Sequence, residues 1–322
     1  MTPMLRLVPP DLVEPVVQGL RGAIDVDPGP TVEQLAVLRA IATHLWGRPD
    51  LDPGAVVPAG PEATSAAVTG EAPRRGFHEM LFTLEACRHP LTAAQVARAE
   101  EYARALGADG PDLELFRTFV ADGRERASAD FARFLADSVA ARHEPGLAAY
   151  PPDAPEAELA ARVRAFAELP DDSLGRAYLA FYERHHLALP GEEATSFNHF
   201  FVAHDMTHVI AGIEPTAAGE IAVSAMQLGM DDNSVNAGAL LASLVVHEAG
   251  IGSSPTFGSE AFVLADPVAA DLLGRSLARG AQCTADFSLA DHFALAALAI
   301  AEVRAEFGVP APADPHDGHH HW

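Results

Sequence analysis

The sequence predicts an all-α fold, a helical bundle with a candidate metal site on a helix hairpin. Three observations carry that prediction. Apolar residues recur at helical spacing, as at Leu35, Leu38, Ile41, Ala42 and Leu45. Two capping boxes, Thr31-Val-Glu-Gln34 and Thr92-Ala-Ala-Gln95, mark helix starts: the threonine hydroxyl accepts an orphan backbone N–H, and the glutamine reaches back to the cap. Strand-like alternation is scarce, and alanine dominates where strands need β-branched residues.

The N-terminal part reads as helices. The first capping box opens the 35–45 pattern, and the second opens another at Val96, Ala99, Ala103 and Leu106. A third pattern runs over Asp112–Val139, with Leu113, Phe116, Val120, Phe131, Phe134 and Leu135. Between the first two, Leu51–Arg75 is rich in Pro, Gly and Ala and reads as a linker. Glu144–Glu156, interrupted by prolines and a glycine, reads as a second linker and sets a domain boundary near residue 150. This divides the chain into a helical accessory domain at 1–150, an all-α domain at 151–312 and a His-rich tail at 313–322, read as disordered. Helices are expected at Glu156–Leu169, Leu174–His186, Ser196–Ala211, Ala217–Leu228, Ala237–Glu248, Pro267–Arg279 and Ala290–Phe307.

Charge narrows the function classes. The chain has 322 residues and a formal net charge of −24, and all 21 of its basic residues are Arg. No basic stripe is present of the kind that a nucleic-acid binder needs. The acidity disfavours docking on anionic lipid, so at most peripheral membrane contact is expected. The longest apolar stretch, Ala237–Val246, is far short of the ~20 residues that span a bilayer. No secretory signal is visible at the start, and the chain reads as cytoplasmic. Cys87 and Cys283 share no metal-ligand spacing and indicate no disulfide framework. Self-association is left open.

Chemistry concentrates in His204-Asp-Met-Thr-His208, followed by Glu220 after eleven intervening residues. On a helix, His204 and His208 lie ~40° apart on one face. Asp205 falls on the flank of that face, able to bind an ion or to orient a histidine. Gly212 and Pro215 bracket a turn, and Thr216 is a cap for the next helix. Glu220 then lies as far beyond the turn as His208 lies before it, so an antiparallel hairpin brings the two to one height. Two imidazoles with one or two carboxylates suit Zn²⁺ first and also accommodate Mn²⁺ or Fe²⁺. Between Arg184 and Arg275 there is no basic side chain except histidine, while eleven carboxylates fall in that stretch. A divalent cation would offset part of that repulsion. The pair alone is also compatible with ordinary histidines on an amphipathic helix.

The segment resembles the coenzyme Q (ubiquinone) biosynthesis protein 4 family, in its pattern His-Asp-x-x-His, eleven residues, Glu. The likeness extends to Leu169-Pro-Asp-Asp-Ser-Leu-Gly-Arg-Ala-Tyr178 upstream, to His208-Val-Ile-Ala-Gly212, to Gly219 before Glu220, and to the closing Arg279-Gly-Ala-Gln282 and Val303-Arg-Ala-Glu-Phe-Gly-Val309. It covers about residues 165–309. The resemblance implies an all-helical domain with a divalent metal, usually taken as zinc, on His204, Asp205, His208 and Glu220. It implies association with other biosynthetic proteins and with a quinone precursor or isoprenoid lipid. It also implies either removal of a ring carboxyl with hydroxylation, or a scaffold role. The chain departs where the family tends to carry arginines before the motif: here the residues are His199-Phe-Phe-Val-Ala203. Near the end Asp291-His292 stands where the family often has an aromatic-Glu pair, and residues 1–150 have no counterpart.

Two function classes follow. A metal with open positions could stabilise charge on a hydroxybenzoate oxygen during loss of CO₂, or activate water for hydrolysis. A non-catalytic protein could instead line a groove for an isoprenoid chain with apolar helices such as Ala237–Val246 and Phe293–Ile300, though buried core is the commoner use of such stretches. His199 and Glu248 are candidate acid–base assistants, with a hydrogen-bonded structural role as the alternative for each.

Overall fold

The computed structural model describes residues 8–90, 92–107, 155–195, 197–250 and 260–315. Among them every regular element is helical. In chain order the α-helices are α1 (Val13–Ala23), α2 (Val32–Ala40), α3 (Pro61–Ala67), α4 (Glu71–Glu85), α5 (Ala93–Leu106), α6 (Ala157–Arg164), α7 (Leu174–His185), α8 (Asn198–Ala211), α9 (Ala217–Met230), α10 (Ser234–His247), α11 (Pro267–Gly280), α12 (His292–Leu295) and α13 (Ile300–Glu306). None is long and apolar enough to cross a membrane. The patterned stretch Asp112–Val139, the 144–154 part of the second linker and the tail from residue 316 lie outside the described residues.

The chain divides into two compact units, each drawn from two stretches. One comprises Met1–Leu135 with Thr216–Ala281, the other Ala136–Pro215 with Gln282–Trp322. Linker composition points to one boundary near residue 150, whereas in this division helices α9, α10 and α11 share a core with α1–α5. Val16, Leu20, Leu38, Ile41, Phe77 and Leu84 pack in one apolar cluster with Ile221, Leu228, Leu244, Leu273 and Leu277.

Two sequence signals do more in this unit than start helices. Both capping boxes form, at Thr31/Gln34 and Thr92/Gln95. Each glutamine also donates its amide N–H to the C-terminal end of α4: Gln34 Nε2 to Leu84 O and Gln95 Nε2 to Glu85 O, both 3.1 Å. Those carbonyls are among the last four of a helix and need outside donors. The stretch expected as a linker at 51–75 holds α3 and the start of α4 instead. Arg74 explains part of this order, donating to Val68 O, Leu106 O and Ser65 O at 3.0–3.2 Å. Helical periodicity misses it because those bonds join residues outside any one repeat.

Helices α9 and α11 meet without side chains between them. A Cβ on Gly280 would stand 2.0 Å from Met226 O, and one on Gly229 would stand 2.3 Å from Leu277 O. The backbones touch there, so only glycine fits.

In the second unit, α6, α7, α8, α12 and α13 bury Leu159, Val163, Phe166, Tyr178, Phe181, Met206, Ile210 and Val303. The helix expected over Ala290–Phe307 is broken into α12 and α13. Residues 296–300 leave the helical ladder to meet the N-terminus of α7. Gly175 N donates to Ala296 O at 2.8 Å, Leu174 N to Leu298 O at 2.9 Å, and Ile300 N to Asp172 O at 2.9 Å. The orphan N–H groups of α7 thus find acceptors, at the cost of continuity in the C-terminal helix.

Two predictions follow from this packing. Gly280→Ala should lower the denaturant midpoint by the equivalent of about 3 kcal/mol, the upper end for forcing extra atoms into a packed contact. Gly60→Ala, where nothing lies within 4 Å of the added Cβ, should change it little. The second concerns Glu85, 3% exposed, with no hydrogen-bond partner for Oε1. Burial pushes its carboxyl from 4.5 up to about 8. The folded pKa stands above the unfolded one, so the stabilisation from the neutral form is whole below pH ~4.5 and is lost as pH rises towards ~8. Glu85→Gln should flatten the fall in melting temperature across that window, recovering roughly 3–5 kcal/mol at its upper end. An unchanged slope would refute the buried-acid account.

Candidate metal centre

Helix α8 sets the site's geometry through its periodicity. Phe197, Phe200, Phe201 and His204 recur at helical spacing and are all half-buried, while Asn198, His199, Val202, Asp205, Met206 and His208 are buried. His204 stacks on Phe200, with ring centroids 4.7 Å apart and planes 19° apart. His208, fully buried, lies against Phe181 with centroids 6.0 Å apart. The helix ends where Gly212 takes the left-handed conformation at φ 65°, which glycine adopts without the Cβ penalty.

The imidazoles of His204 and His208 converge, with their Nε2 atoms 3.3 Å apart. The Nδ1 of His208 lies 2.9 Å from the carbonyl oxygen of Ile213. A carbonyl only accepts, so Nδ1 carries the proton and donates it. In the neutral ring Nε2 then presents a lone pair, the arrangement that metal-binding histidines use.

Beyond the turn, Thr216 caps α9, its hydroxyl accepting from Gly219 N at 3.1 Å. Glu220 lies in the first turn of that helix. Ligand-type atoms of His204, His208 and Glu220 all lie within 4.8 Å of one another.

Asp205 is outside that three-residue group. Its Oδ1 lies 4.0 Å from His204 Nε2, and its Oδ2 accepts a hydrogen bond from the hydroxyl of Tyr182. Tyr178 Oη lies 3.1 Å from Tyr182 Oη and 3.3 Å from Phe201 O. Burial, and then the Asp205 charge, push the Tyr182 phenol well above its usual range and keep it a donor. The tyrosines anchor Asp205 beside His204. Tyr178 falls within the sequence motif, and Tyr182 follows one helical turn later, so the spacing was visible while the partner was not.

The other candidates have structural partners. His199 Nε2 lies 2.6 Å from Glu156 Oε2. Glu248 is fully buried and accepts from Leu264 N at 2.8 Å; burial raises its carboxyl to about 7. Neither belongs to the three-residue group. Cys87 and Cys283 are both buried thiols.

Sequence reasoning missed the groups that hold the turn after α8. Glu214 receives Arg184 Nη2 at 3.0 Å and lies 2.5 Å from His185 Nε2, tying the turn to the end of α7. Arg304 reaches α8 from α13.

The donor set fits a divalent cation. Two nitrogens at the ~2.0–2.1 Å typical of zinc in a tetrahedral site stand about 3.3–3.4 Å from each other, the spacing of the two Nε2 atoms. A carboxylate completes a His₂Glu set that leaves coordination positions for other ligands. With no ion bound, the same Nε2 pair can share a hydrogen bond if His204 supplies the proton. No protein-family model matches the chain, and no curated protein does.

Metal analysis checks the arrangement. Wild-type protein refolded or purified with zinc should retain about one ion per chain, and His208→Ala and Glu220→Ala should each lower retention sharply while helicity is kept. Little metal in the wild type, unchanged by either substitution, would remove the site.

Proposed function

We propose that the chain is a metal-dependent protein of the coenzyme Q biosynthesis protein 4 type, acting on a prenylated hydroxybenzoate-like quinone precursor and removing its ring carboxyl. One observation carries the metal half of this reading: the convergence of His204 and His208 at 3.3 Å with Glu220 in the same 4.8 Å group. The substrate half rests on the resemblance of residues 165–309. The reading places the chain in the cytoplasm beside other biosynthetic proteins.

His204, His208 and Glu220 would hold the ion, with Asp205 alongside. When bound, a divalent cation supplies Lewis-acid stabilisation of negative charge on a ligand oxygen. The chain's own residues supply the rest. Ile213 O holds the His208 ring in one tautomer, and Phe200 fixes the plane of His204. Half-buried Phe197, Phe200 and Phe201 form an apolar stripe on the His204 face of α8, suited to an aromatic ring or an isoprenoid tail. In the reaction the bond from the ring to the carboxyl carbon breaks, CO₂ departs, and a proton takes its place on the ring.

The same stripe supports the competing reading, an isoprenoid-lipid-binding scaffold without turnover. Incubating zinc-loaded protein with a prenylated hydroxybenzoate separates the two. Release of CO₂ by wild type and its loss in His208→Ala are expected; co-purified isoprenoid lipid with no release would favour the scaffold.

A further inference from the structure

The last turn of a helix leaves carbonyls without intrahelical donors, and carries partial negative charge. At the end of α8 this turn leads directly from His208 to Ile213, whose carbonyl sets the tautomer of His208. Its carbonyls are met by a buried guanidinium. Arg304, 6% exposed, donates from Nε to Ile210 O and from Nη2 to Val209 O, both at 3.1 Å. A planar fork matches two neighbouring acceptors in a way that the single ammonium of lysine does not.

Arg304 is itself held in place. Its helix, α13, starts where Ile300 N donates to Asp172 O, and residues 173 and 299 form an isolated antiparallel bridge. At the other end Val309 N donates to Arg304 O at 2.8 Å. Beyond the two carbonyls that Arg304 holds, Gly212 reverses the chain and Ile213 N returns to His208 O at 3.1 Å. The Ile213 carbonyl then faces His208 Nδ1 at 2.9 Å. The orientation of that carbonyl therefore depends on where the α8 turn ends, and Arg304 holds the last carbonyls before it, as Arg184 holds Glu214 just after it.

We propose that Arg304 is the positioning residue of the metal centre, clamping the C-terminal turn of α8 so that Ile213 O keeps His208 in its Nδ1–H tautomer and turns the Nε2 lone pair towards the ion. The proposal rests on the metal-site reading above. Its effect passes through the backbone, since Arg304 hydrogen-bonds carbonyls of the helix that carries the ligands.

The experiment uses the full-length, metal-free chain with ¹⁵N-labelled histidine. Imidazole nitrogen shifts report the tautomer of His208, and competition with a chromophoric chelator reports zinc affinity. In the wild type His208 should be the Nδ1–H form. In Arg304→Lys, which keeps the charge and loses the fork, the tautomer should become mixed. Zinc should bind up to about 10-fold more weakly, the lower end for disturbing the hydrogen bond that orients a ligand histidine. A folded Arg304→Lys with the wild-type tautomer and affinity overturns the positioning role alone. A wild type in which His208 carries its proton on Nε2 overturns it without any variant, which covers the case of a variant that does not fold. A wild type with the Nδ1–H tautomer that binds no zinc instead overturns the metal reading, and the proposal with it.

Discussion

A neutral imidazole has one proton, and committing it to a backbone carbonyl decides which nitrogen meets a ligand. The hydrogen bond from His208 Nδ1 to Ile213 O is that commitment. Glycine at 212 permits the reversal that brings the Ile213 carbonyl back to the ring. Glu214, held by Arg184 and near His185, ties the turn to α7, and Arg304 closes the end of α8. Each contact is modest alone, since a net hydrogen bond contributes about 1 kcal/mol.

The segments before α7 and around α13 are joined by backbone hydrogen bonds. Asp172, Ser173, Leu174 and Gly175 meet residues 296–300, and Arg304, one turn further, meets α8. The motif before the histidines and the motif near the end are thus successive links in one chain of contacts that ends at the ligand helix. Phe200 stacks on His204, apart from the helix's contacts with Arg304, so the aromatic face and this support are separate features. In the first unit the constraint is steric: Gly229 and Gly280 let the backbones of α9 and α11 touch, which anchors the helix that carries Glu220.

Much of the helical content was legible. Thr31, Thr92 and Thr216 cap helices as their spacing predicts, and α7, α8, α9 and α11 fall within a few residues of expectation. The pairing of His204 with His208 followed from periodicity alone. The 61–67 helix within an expected linker was not legible, nor was the break between α12 and α13. Both depend on donors and acceptors outside the helix concerned: Arg74, which also bridges to Leu106, in one case, the start of α7 in the other.

The sequence by itself determined which residues lie on the ligand face of α8 and where most helices begin, because periodicity and capping act within a few residues along the chain. The tertiary structure alone decided the tautomer-setting carbonyl of Ile213, the tyrosine anchor of Asp205 and the clamp from Arg304. Arg304 stands 94 positions from Ile210, whose carbonyl it binds, and no local pattern encodes a bond between residues so far apart.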